Sequence, residues 1–199
     1  MTQTDEMLML QVRGGDVDKL GILFDRHHRT LFDFFARTMG SRTVAEDLVQ
    51  DVFFRILKYS ETFRDAESFK AWMFRIARNG LARYYEGQPP ESAPIEEDGE
   101  AAPESRGPIP GAALEHEQQT ALLERAMLKL DPGKREVLVL SRYQEMSYDE
   151  IANVWGCGTG AVKVGAHRAL KELREIFLKL SNEKPSCNVK KFENKLQSM

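Results

Sequence analysis

The stretch SYDEIANVWGCGTGAVKVGAHRALKELREIFLKL, residues 147–180, predicts two helices joined by a tight turn. Ser147 is a favoured N-cap residue, and Glu150 stands three positions later, which completes a capping box at the start of the first helix. The Gly-Cys-Gly run at 156–158 ends that helix, because glycine accepts the positive φ that a helix C-terminus commonly needs. Thr159 is then placed to cap the second, longer helix.

This second helix has one apolar and one basic face. Its apolar residues recur three and four positions apart, as in a buried stripe: Val162, Ala166, Ala169, Leu173, Ile176, Phe177 and Leu180. The other side carries Thr159, Lys163, His167, Arg168, Lys171 and Arg174. A short helix, a turn and a longer helix with a basic outer face are typical of a helix-turn-helix that reads duplex DNA. The alternative is an ordinary helical hairpin with a solvated charged face.

The rest of the chain also shows helical periodicity, with no recurring β pattern, so we predict an all-α fold. Helices are expected over 5–39, with a break at Gly14-Gly15 and a cap at Asp16, then over about 44–59 and 67–85. Pattern resumes at Leu114, and Asp131-Pro132 starts a further helix. The sequence therefore predicts two small helical domains, residues 5–86 and 114–180, the second containing the helix-turn-helix.

Between the predicted domains lies a proline- and glycine-rich segment without aromatic residues, residues 87–113. The net charge of the chain is −3, yet residues 86–117 alone hold nine acidic residues against one basic residue, Arg106. Such a segment cannot bury enough apolar surface to offset chain entropy, so we predict a flexible acidic linker. Residues 181–199 form a polar, lysine-bearing tail with no assigned function.

Composition excludes several classes of protein. No apolar run approaches the ~20 residues of a membrane span, and the N-terminus carries Asp5 and Glu6 where a signal peptide would be basic. Two cysteines, Cys157 and Cys187, cannot build a disulfide framework, so we expect a cytoplasmic protein, with Cys157 as a small buried residue. His27 and His28 point about 100° apart on a helix, and no metal or phosphate-loop motif occurs. We therefore expect no enzyme activity, no metal and no cofactor.

Aromatic and basic residues alternate along the predicted fourth helix and the loop before it. The aromatic residues are Phe63, Trp72, Phe74, Tyr84 and Tyr85, and the cations are Arg64, Lys70, Arg75, Arg78 and Arg83. Aromatic rings stack on bases and cations follow phosphates, a combination that suits single-stranded nucleic acid. A plain helical core explains the aromatic residues equally well, and the pattern leaves both interpretations open.

Three blocks follow one another in the chain: AEDLVQDVFFRI at 45–56, FKAWMFRIARN at 69–79, and LDPGKREVLVLSRYQEMSYDEIANVWGCGTGAVKVGAHRALKELRE at 130–175. With the acidic segment between the second and third, they resemble a bacterial RNA polymerase sigma factor of the extracytoplasmic-function (ECF) group of the sigma-70 family. The resemblance covers about residues 8–178 and implies binding to core RNA polymerase and to promoter DNA, by a chain that is a monomer on its own. It further implies an anti-sigma protein as a regulatory partner, although no residue identifies one.

The resemblance also implies roles for single residues. Asp47, Gln50 and Asp51 match the face that docks on the clamp helices of the largest polymerase subunit. Arg55, Phe63 and Asn79 match positions around the pocket for a base flipped out of the −10 element, and Trp72, Phe74 and Ile76 match the wall that supports it. Lys163, His167 and Arg168 match residues that meet the −35 element in the major groove, with Thr159 and Lys171 placed for phosphates.

The recognition helix departs from the pattern of the family. Val164, Gly165, Ala166 and Leu170 stand where a serine, an arginine, a leucine and a second arginine are common. Fewer cations and an apolar valine, which suits a thymine methyl, imply an altered −35 sequence. Two other functions stay open: a conventional helix-turn-helix transcriptional regulator that acts without polymerase, and an adaptor that binds protein only.

Overall fold

The computed structural model describes residues 3–87 and 112–182, and the regular structure within those ranges is helical. The α-helices are α1 Asp5–Arg13, α2 Asp18–Met39, α3 Arg42–Lys58, α4 Phe69–Glu86, α5 Ala112–Leu128, α6 Pro132–Leu138, α7 Tyr148–Trp155 and α8 Thr159–Asn182. A 3-10 turn, Ser60–Thr62, precedes α4, and a π-helical turn, Val139–Tyr143, follows α6. The predicted all-α class is confirmed. Most of the predicted linker, most of the tail, and Cys187 lie outside the described residues.

Short polar residues and glycines set the helix ends where the sequence predicts them. Gly40 ends α2 in the left-handed region with φ of 74°, and the Ser41 hydroxyl caps α3 by accepting from the next turn. Ser147 and Glu150 form the predicted capping box of α7, and Gly156 ends that helix with φ of 65°. A side chain at Gly40 or Gly156 would be strained, which explains glycine at both turns.

Two other predicted caps are wrong. Val17 occupies the N-cap of α2 without a side-chain bond, and the Asp16 carboxylate lies 3.6 Å from the Lys19 ammonium instead. Thr159 is already the first residue of α8, and its hydroxyl donates a 2.5 Å hydrogen bond to Asp149. In both cases the side chain that was expected to cap the helix bonds to a nearby charged side chain instead.

Helices α1–α4 form the first helical set. α2 packs against α1 and α3, and α3 packs against α4. Their core contains apolar residues that recur at helical spacing: Leu23, Leu31, Phe34, Phe35, Leu48, Val52, Phe53, Ile56, Phe69, Trp72, Met73, Phe74, Ile76 and Leu81. Phe24 and Leu57 lie at helical spacing with these residues but are 38% and 37% exposed.

Helices α5–α8 form the second helical set, in which α8 packs against α5, α6 and α7. The predicted stripe of α8 faces inward: Val162, Ala166, Ala169 and Leu180 are buried, and Leu173, Ile176 and Phe177 are half-buried. One prediction fails in the turn before α8, where Cys157 is exposed rather than buried. The apolar residues of the two flanking helices make the core contacts at this turn, so the thiol is left exposed.

The two helical sets lie against each other. α4 contacts α7, and α2 contacts α5, α6 and the π-helical turn. Buried residues of both sets belong to one continuous apolar cluster. A division at a linker predicts two separate domains, but it does not predict this packed interface between them.

Candidate nucleic-acid and protein interfaces

The outer face of α8 is a basic surface with few internal partners. Lys163, His167, Arg168 and Lys171 are exposed, as the sequence predicts. Among the described residues, no acidic side chain forms an ion pair with any of these three cations or with the imidazole. The buried stripe on the opposite side fixes their direction, because residues on one helix face share one environment. This surface has the charge and the exposure that contact with phosphates and base edges requires.

Two residues modify this basic surface. The Val164 side chain is 50% exposed and apolar, and a Cβ added at Gly165 would meet nothing within 4 Å. Thr159, predicted to contact phosphate, is half-buried and already bonded to Asp149. The Thr159 hydroxyl therefore links α8 to Asp149 of α7. Asp149 and a phosphate would compete for the same hydroxyl proton.

The outer face of α3 is the second candidate surface. Asp47 and Gln50 are exposed there, as predicted. Asp51 differs, because its carboxylate accepts a 2.5 Å hydrogen bond from Arg55 and is half-buried. The bond from Asp51 also raises the pKa of Arg55 above its usual value. Asp51 and Arg55 are thus held to each other, whereas Asp47 and Gln50 are available to a partner.

One residue of this face, Phe54, was not predicted from the sequence. Phe54 lies four positions after Gln50 and is 66% exposed, the largest exposed fraction among the large apolar side chains described. Its neighbour Phe53 is buried, so the helix has turned one ring of the pair into the core and the other outward. The signal was the position itself, since i+4 from Gln50 places an aromatic ring on a polar face. Exposed aromatic rings beside polar groups are common anchors of protein interfaces.

The predicted pocket for a −10 base is filled with core packing. Phe63 and Trp72 are 1% exposed, Phe74 is fully buried, and Ile76 is 8% exposed. The rings of Phe63 and Trp72 pack edge to face with centroids 5.3 Å apart. These side chains present no open stacking surface in this structure. The roles of Trp72, Phe74 and Ile76 as a supporting wall, and of Phe63 at the pocket, stay predictions.

Three of the cations of α4 are bonded to other protein groups. The Lys70 ammonium donates a 2.8 Å hydrogen bond to the Gln144 carbonyl. Arg75 pairs with Glu67 at 2.8 Å, and Arg78 pairs with Glu136 at 3.2 Å. The alternation of cations and rings therefore reflects packing and ion pairs more than a platform for single-stranded nucleic acid.

Of the residues predicted around the −10 pocket, Asn79 remains exposed. It lines a cavity of about 250 Å³ that lies between the helical sets, together with Thr38, Tyr85, Gly133 and Glu136. The Asp51 carboxylate lies 3.7 Å from the position of a Cβ built on Gly80. The Asp51–Arg55 pair and Asn79 are thus carried on neighbouring turns of two packed helices.

A buried charged junction joins α6 to the first helical set, and no sequence signal predicted it. Arg135 and Glu136 are each 8% exposed. The Arg135 guanidinium donates to four backbone carbonyl groups, those of Thr38, Met127, Leu128 and Leu130, at 2.5–2.9 Å. Burial lowers the pKa of Arg135, and its nearest opposing groups, Tyr85 and Asp131, only partly offset this.

Glu136 accepts from both helical sets. Its carboxylate accepts a 2.8 Å hydrogen bond from the Trp155 indole and lies 3.2 Å from the Arg78 guanidinium, which also sits over the Trp155 ring at 5.4 Å. Burial raises the pKa of Glu136 above its usual value, and the Trp155 and Arg78 contacts oppose that rise without cancelling it. The junction therefore connects α4, α6 and α7 through one carboxylate.

The described residues hold no cluster of three or more histidine, cysteine, aspartate or glutamate side chains that would suit a metal ion. His27 is bonded to Asp5 at 2.7 Å, and His28 bonds the Phe24 carbonyl. Within residues 3–87 and 112–182, none of the helices has the length and hydropathy of a membrane span.

Comparison with known families places both helical sets. Sigma-70 region 2 matches residues 23–88, and Sigma-70 region 4 matches residues 120–173. The chain is 30% identical to RNA polymerase sigma factor CarQ of Myxococcus xanthus over 175 residues, which cover 88% of this chain and 98% of CarQ. It is 27% identical to the ECF RNA polymerase sigma-E factor of Escherichia coli K12, over 83% of this chain and 90% of that protein.

Solved structures share the fold. The structure of CnrH in complex with the cytosolic domain of CnrY superposes with a TM-score of 0.63 at 28% identity, over 86% of this chain and 96% of that chain. The sigma factor RpoE of Bartonella quintana, solved with the anti-sigma factor NepR, gives a TM-score of 0.59 at 23% identity, over 78% and 94% of the two chains.

Proposed function

This chain belongs to the sigma-70 family, in its ECF group, and we propose that the outer faces of α3, α4 and α8 make three different contacts in promoter recognition. A member of this family is an initiation factor that binds RNA polymerase and directs it to particular promoters, and it is not an enzyme. Its place of action is the cytoplasm, where promoter DNA lies. The regulator that acts without polymerase gains no support, since it leaves the region 2 match unexplained.

The outer face of α8 binds −35 duplex DNA. Support comes from the exposure of Lys163, His167 and Arg168 on the side opposite the buried stripe. Basic residues reach guanine edges and phosphates in the major groove, and the exposed Val164 suits a thymine methyl. Lys171, one turn further on, is placed for a phosphate. The single observation that carries the proposal is this exposed basic face within the matched region 4.

Docking on core polymerase falls to the outer face of α3, through Asp47, Gln50 and Phe54. The exposed carboxylate and amide suit a basic helical partner, and the exposed ring supplies apolar area at the centre of the contact. Asp51 contributes differently, by holding Arg55 against the helix pair. We therefore assign Asp51 a positioning role rather than a direct contact.

Asn79 and Arg55 contact the −10 strand, and a layer of buried, mostly aromatic side chains supports them. An amide offers a donor and an acceptor to a base edge, and Asn79 is exposed. Phe63, Trp72, Phe74 and Ile76 are buried beneath, where they stiffen the helix that presents Asn79. A flipped base loses a few kcal/mol of stacking, which rigid and already oriented contacts offset more fully than mobile ones.

An anti-sigma protein regulates this chain by binding to it. It is supported by the likeness to CnrH, whose solved structure contains the cytosolic domain of a second protein, CnrY. Purification of the chain from its source organism, followed by identification of a stoichiometric partner other than polymerase, tests this assignment.

In vitro transcription tests the function directly. Core polymerase and fragmented genomic DNA of the source bacterium are incubated with and without the purified chain. We expect discrete new transcripts whose upstream regions share elements near −10 and −35. Silence with active core and folded protein would overturn the proposal in favour of a regulator.

A matched pair of variants tests the docking face. Asp47→Arg reverses an exposed charge on α3, and we expect loss of co-purification with core and loss of transcripts. Asp33→Arg makes the same change at an exposed position on α2 and should behave as the parent protein does. Equal core binding by both variants would contradict the assignment of α3.

A further inference from the structure

Helix α1 lies before the residues that match Sigma-70 region 2, and it is anchored on the first helical set. Its inward-facing apolar side chains are buried: Leu8, Met9 and Val12. The Arg26 guanidinium of α2 donates a 2.6 Å hydrogen bond to Asp5, and the Phe69 backbone amide at the start of α4 donates a 3.2 Å hydrogen bond to Glu6. α1 therefore has a fixed position from which it can hold other parts of the chain.

One guanidinium of α1 is bonded to the loop between α3 and α4, residues 59–68. Arg13 donates a 2.7 Å hydrogen bond to the Phe63 carbonyl, and its guanidinium also lies 2.7 Å from the Asp65 carboxylate. A guanidinium presents its donors in a fixed fork, so two contacts from one such group restrain direction as well as distance. The residue between the two contacts is Arg64, and its backbone is therefore held from both sides.

The Arg64 side chain is exposed, and no carboxylate in the described part of the chain forms an ion pair with its guanidinium. It differs in this respect from Arg75 and Arg78 of α4, which pair with glutamates. The loop that carries Arg64 begins at Tyr59, whose phenol interacts with the guanidinium of Arg55, a residue proposed to contact the −10 strand. Arg64 is thus an available cation on a loop that adjoins the proposed −10 site.

We propose that Arg13 is a positioning residue for the −10 strand: it holds the loop between α3 and α4 so that Arg64 binds a phosphate of that strand. This inference rests on the proposed function of α4. A loop that is ordered before binding loses less conformational freedom on contact with the strand, so the contact contributes more fully to affinity. Cations on phosphates set affinity and register without reading bases, and the base contact stays with Asn79.

Binding of a single-stranded −10 oligonucleotide to the chain–core complex tests the inference. Arg13→Met keeps an unbranched side chain on α1 and removes both contacts to the loop. Arg26→Met is the matched control, because the Arg26 side chain has the same 32% exposure and bonds Gln3 and Asp5 rather than the loop. Arg64→Ala removes the proposed phosphate contact itself.

We expect Arg13→Met and Arg64→Ala each to bind the oligonucleotide at least about threefold more weakly than the parent, and Arg26→Met to bind it equally well. Loss of one phosphate contact should also make the slope of log affinity against log salt less steep by about 0.7, the value for single strands. The double variant of Arg13 and Arg64 should bind no more weakly than Arg64→Ala, since both changes remove one contact. Arg13→Lys keeps the charge without the fork, so it should recover part of the loss.

Co-purification with core and affinity for −35 duplex should stay unchanged in every variant, because the outer faces of α3 and α8 are untouched. Equal losses for Arg13→Met and Arg26→Met would overturn the inference, since Arg13 would then act only by anchoring α1. Parental binding by Arg13→Met would overturn it as well, and a weaker Asn79→Ala beside it would leave the proposed function standing. Failure of the parent complex to bind the oligonucleotide would overturn the −10 function of α4 and this inference with it.

Discussion

The outer face of α8 and the aromatic face of α4 were both predicted to meet promoter DNA, and the structure treats them differently. On α8 the predicted residues Lys163, His167 and Arg168 are exposed above a buried stripe. On α4 the predicted aromatic residues Trp72 and Phe74 are themselves the buried stripe. The difference teaches that charge on a helix face locates a surface, whereas aromatic residues at helical spacing first locate a core.

The largest effect expected from this comparison is the loss of an α4 ring. Trp72→Ala should lower the free energy of unfolding by about 3–5 kcal/mol, because a nearly fully buried indole packed on Phe63 and Phe69 leaves a cavity. Urea unfolding followed by circular dichroism measures it. Phe54→Ala, at a 66% exposed ring, is the control and should change stability by no more than about 0.5 kcal/mol. A small loss for Trp72→Ala would mean that the ring is not core.

The next effect belongs to α8. Arg168→Ala should weaken binding to the −35 duplex by about 1–3 kcal/mol while leaving the free energy of unfolding within about 0.5 kcal/mol, since the side chain is exposed. Fluorescence anisotropy at fixed salt measures the affinity, and Lys179→Ala near the end of the same helix is the control. An equal loss for both variants would indicate general electrostatic attraction rather than a base or local phosphate contact.

The burial of the α4 rings and the exposure of the α8 cations show why the sequence predicted the α8 surface better than the α4 surface. The face of α8 follows from spacing alone, because Val162, Ala166 and Ala169 must point inward together. The capping box at Ser147 and the turn at Gly156 follow in the same way from local backbone chemistry. Local rules therefore predict helices, their ends and their buried stripes.

Contacts between distant segments were not predictable in this way. Arg135 and Glu136 look like ordinary polar residues in the sequence, yet they are buried because α2 and α4 lie over them. Phe53 and Phe54 are adjacent phenylalanines, and only the rotation of α3 about its own axis decides which of the two rings is exposed. The exposed Cys157 likewise depends on how the turn projects from its neighbours.

A smaller effect is expected at Asn79, the exposed residue of α4. Asn79→Ala should leave unfolding unchanged within about 0.5 kcal/mol, and it should weaken binding of a single-stranded −10 oligonucleotide to the chain–core complex by about 1 kcal/mol. Asn153→Ala, an exposed amide on α7, is the control. If the oligonucleotide binds both variants as it binds the parent, α4 contributes only support and reads no base through this amide.

The smallest effect is expected where the two compared regions meet, at Glu136. Burial raises the pKa of this carboxyl, so between the unfolded and folded pKa values the folded chain binds the extra proton. Its contribution to stability is therefore greatest in acid and falls as the pH rises through the folded pKa. The ionisable side chains that act on Glu136 or respond to it are Arg78, which opposes the rise of its pKa, and Tyr85, whose own pKa is raised by burial.

Glu136→Gln removes this titration while its side-chain oxygen still accepts from the Trp155 indole. The variant should approach the parent in stability as the pH falls, and it should be the more stable protein at neutral pH because its side chain at this buried position is uncharged. Urea unfolding of both proteins from pH 4 to pH 8 measures the difference. A variant that is less stable at neutral pH would show that attraction between Glu136 and Arg78 outweighs the cost of burying the charge. The junction would then hold the two helical sets together through its ion pair rather than through the apolar contacts around it.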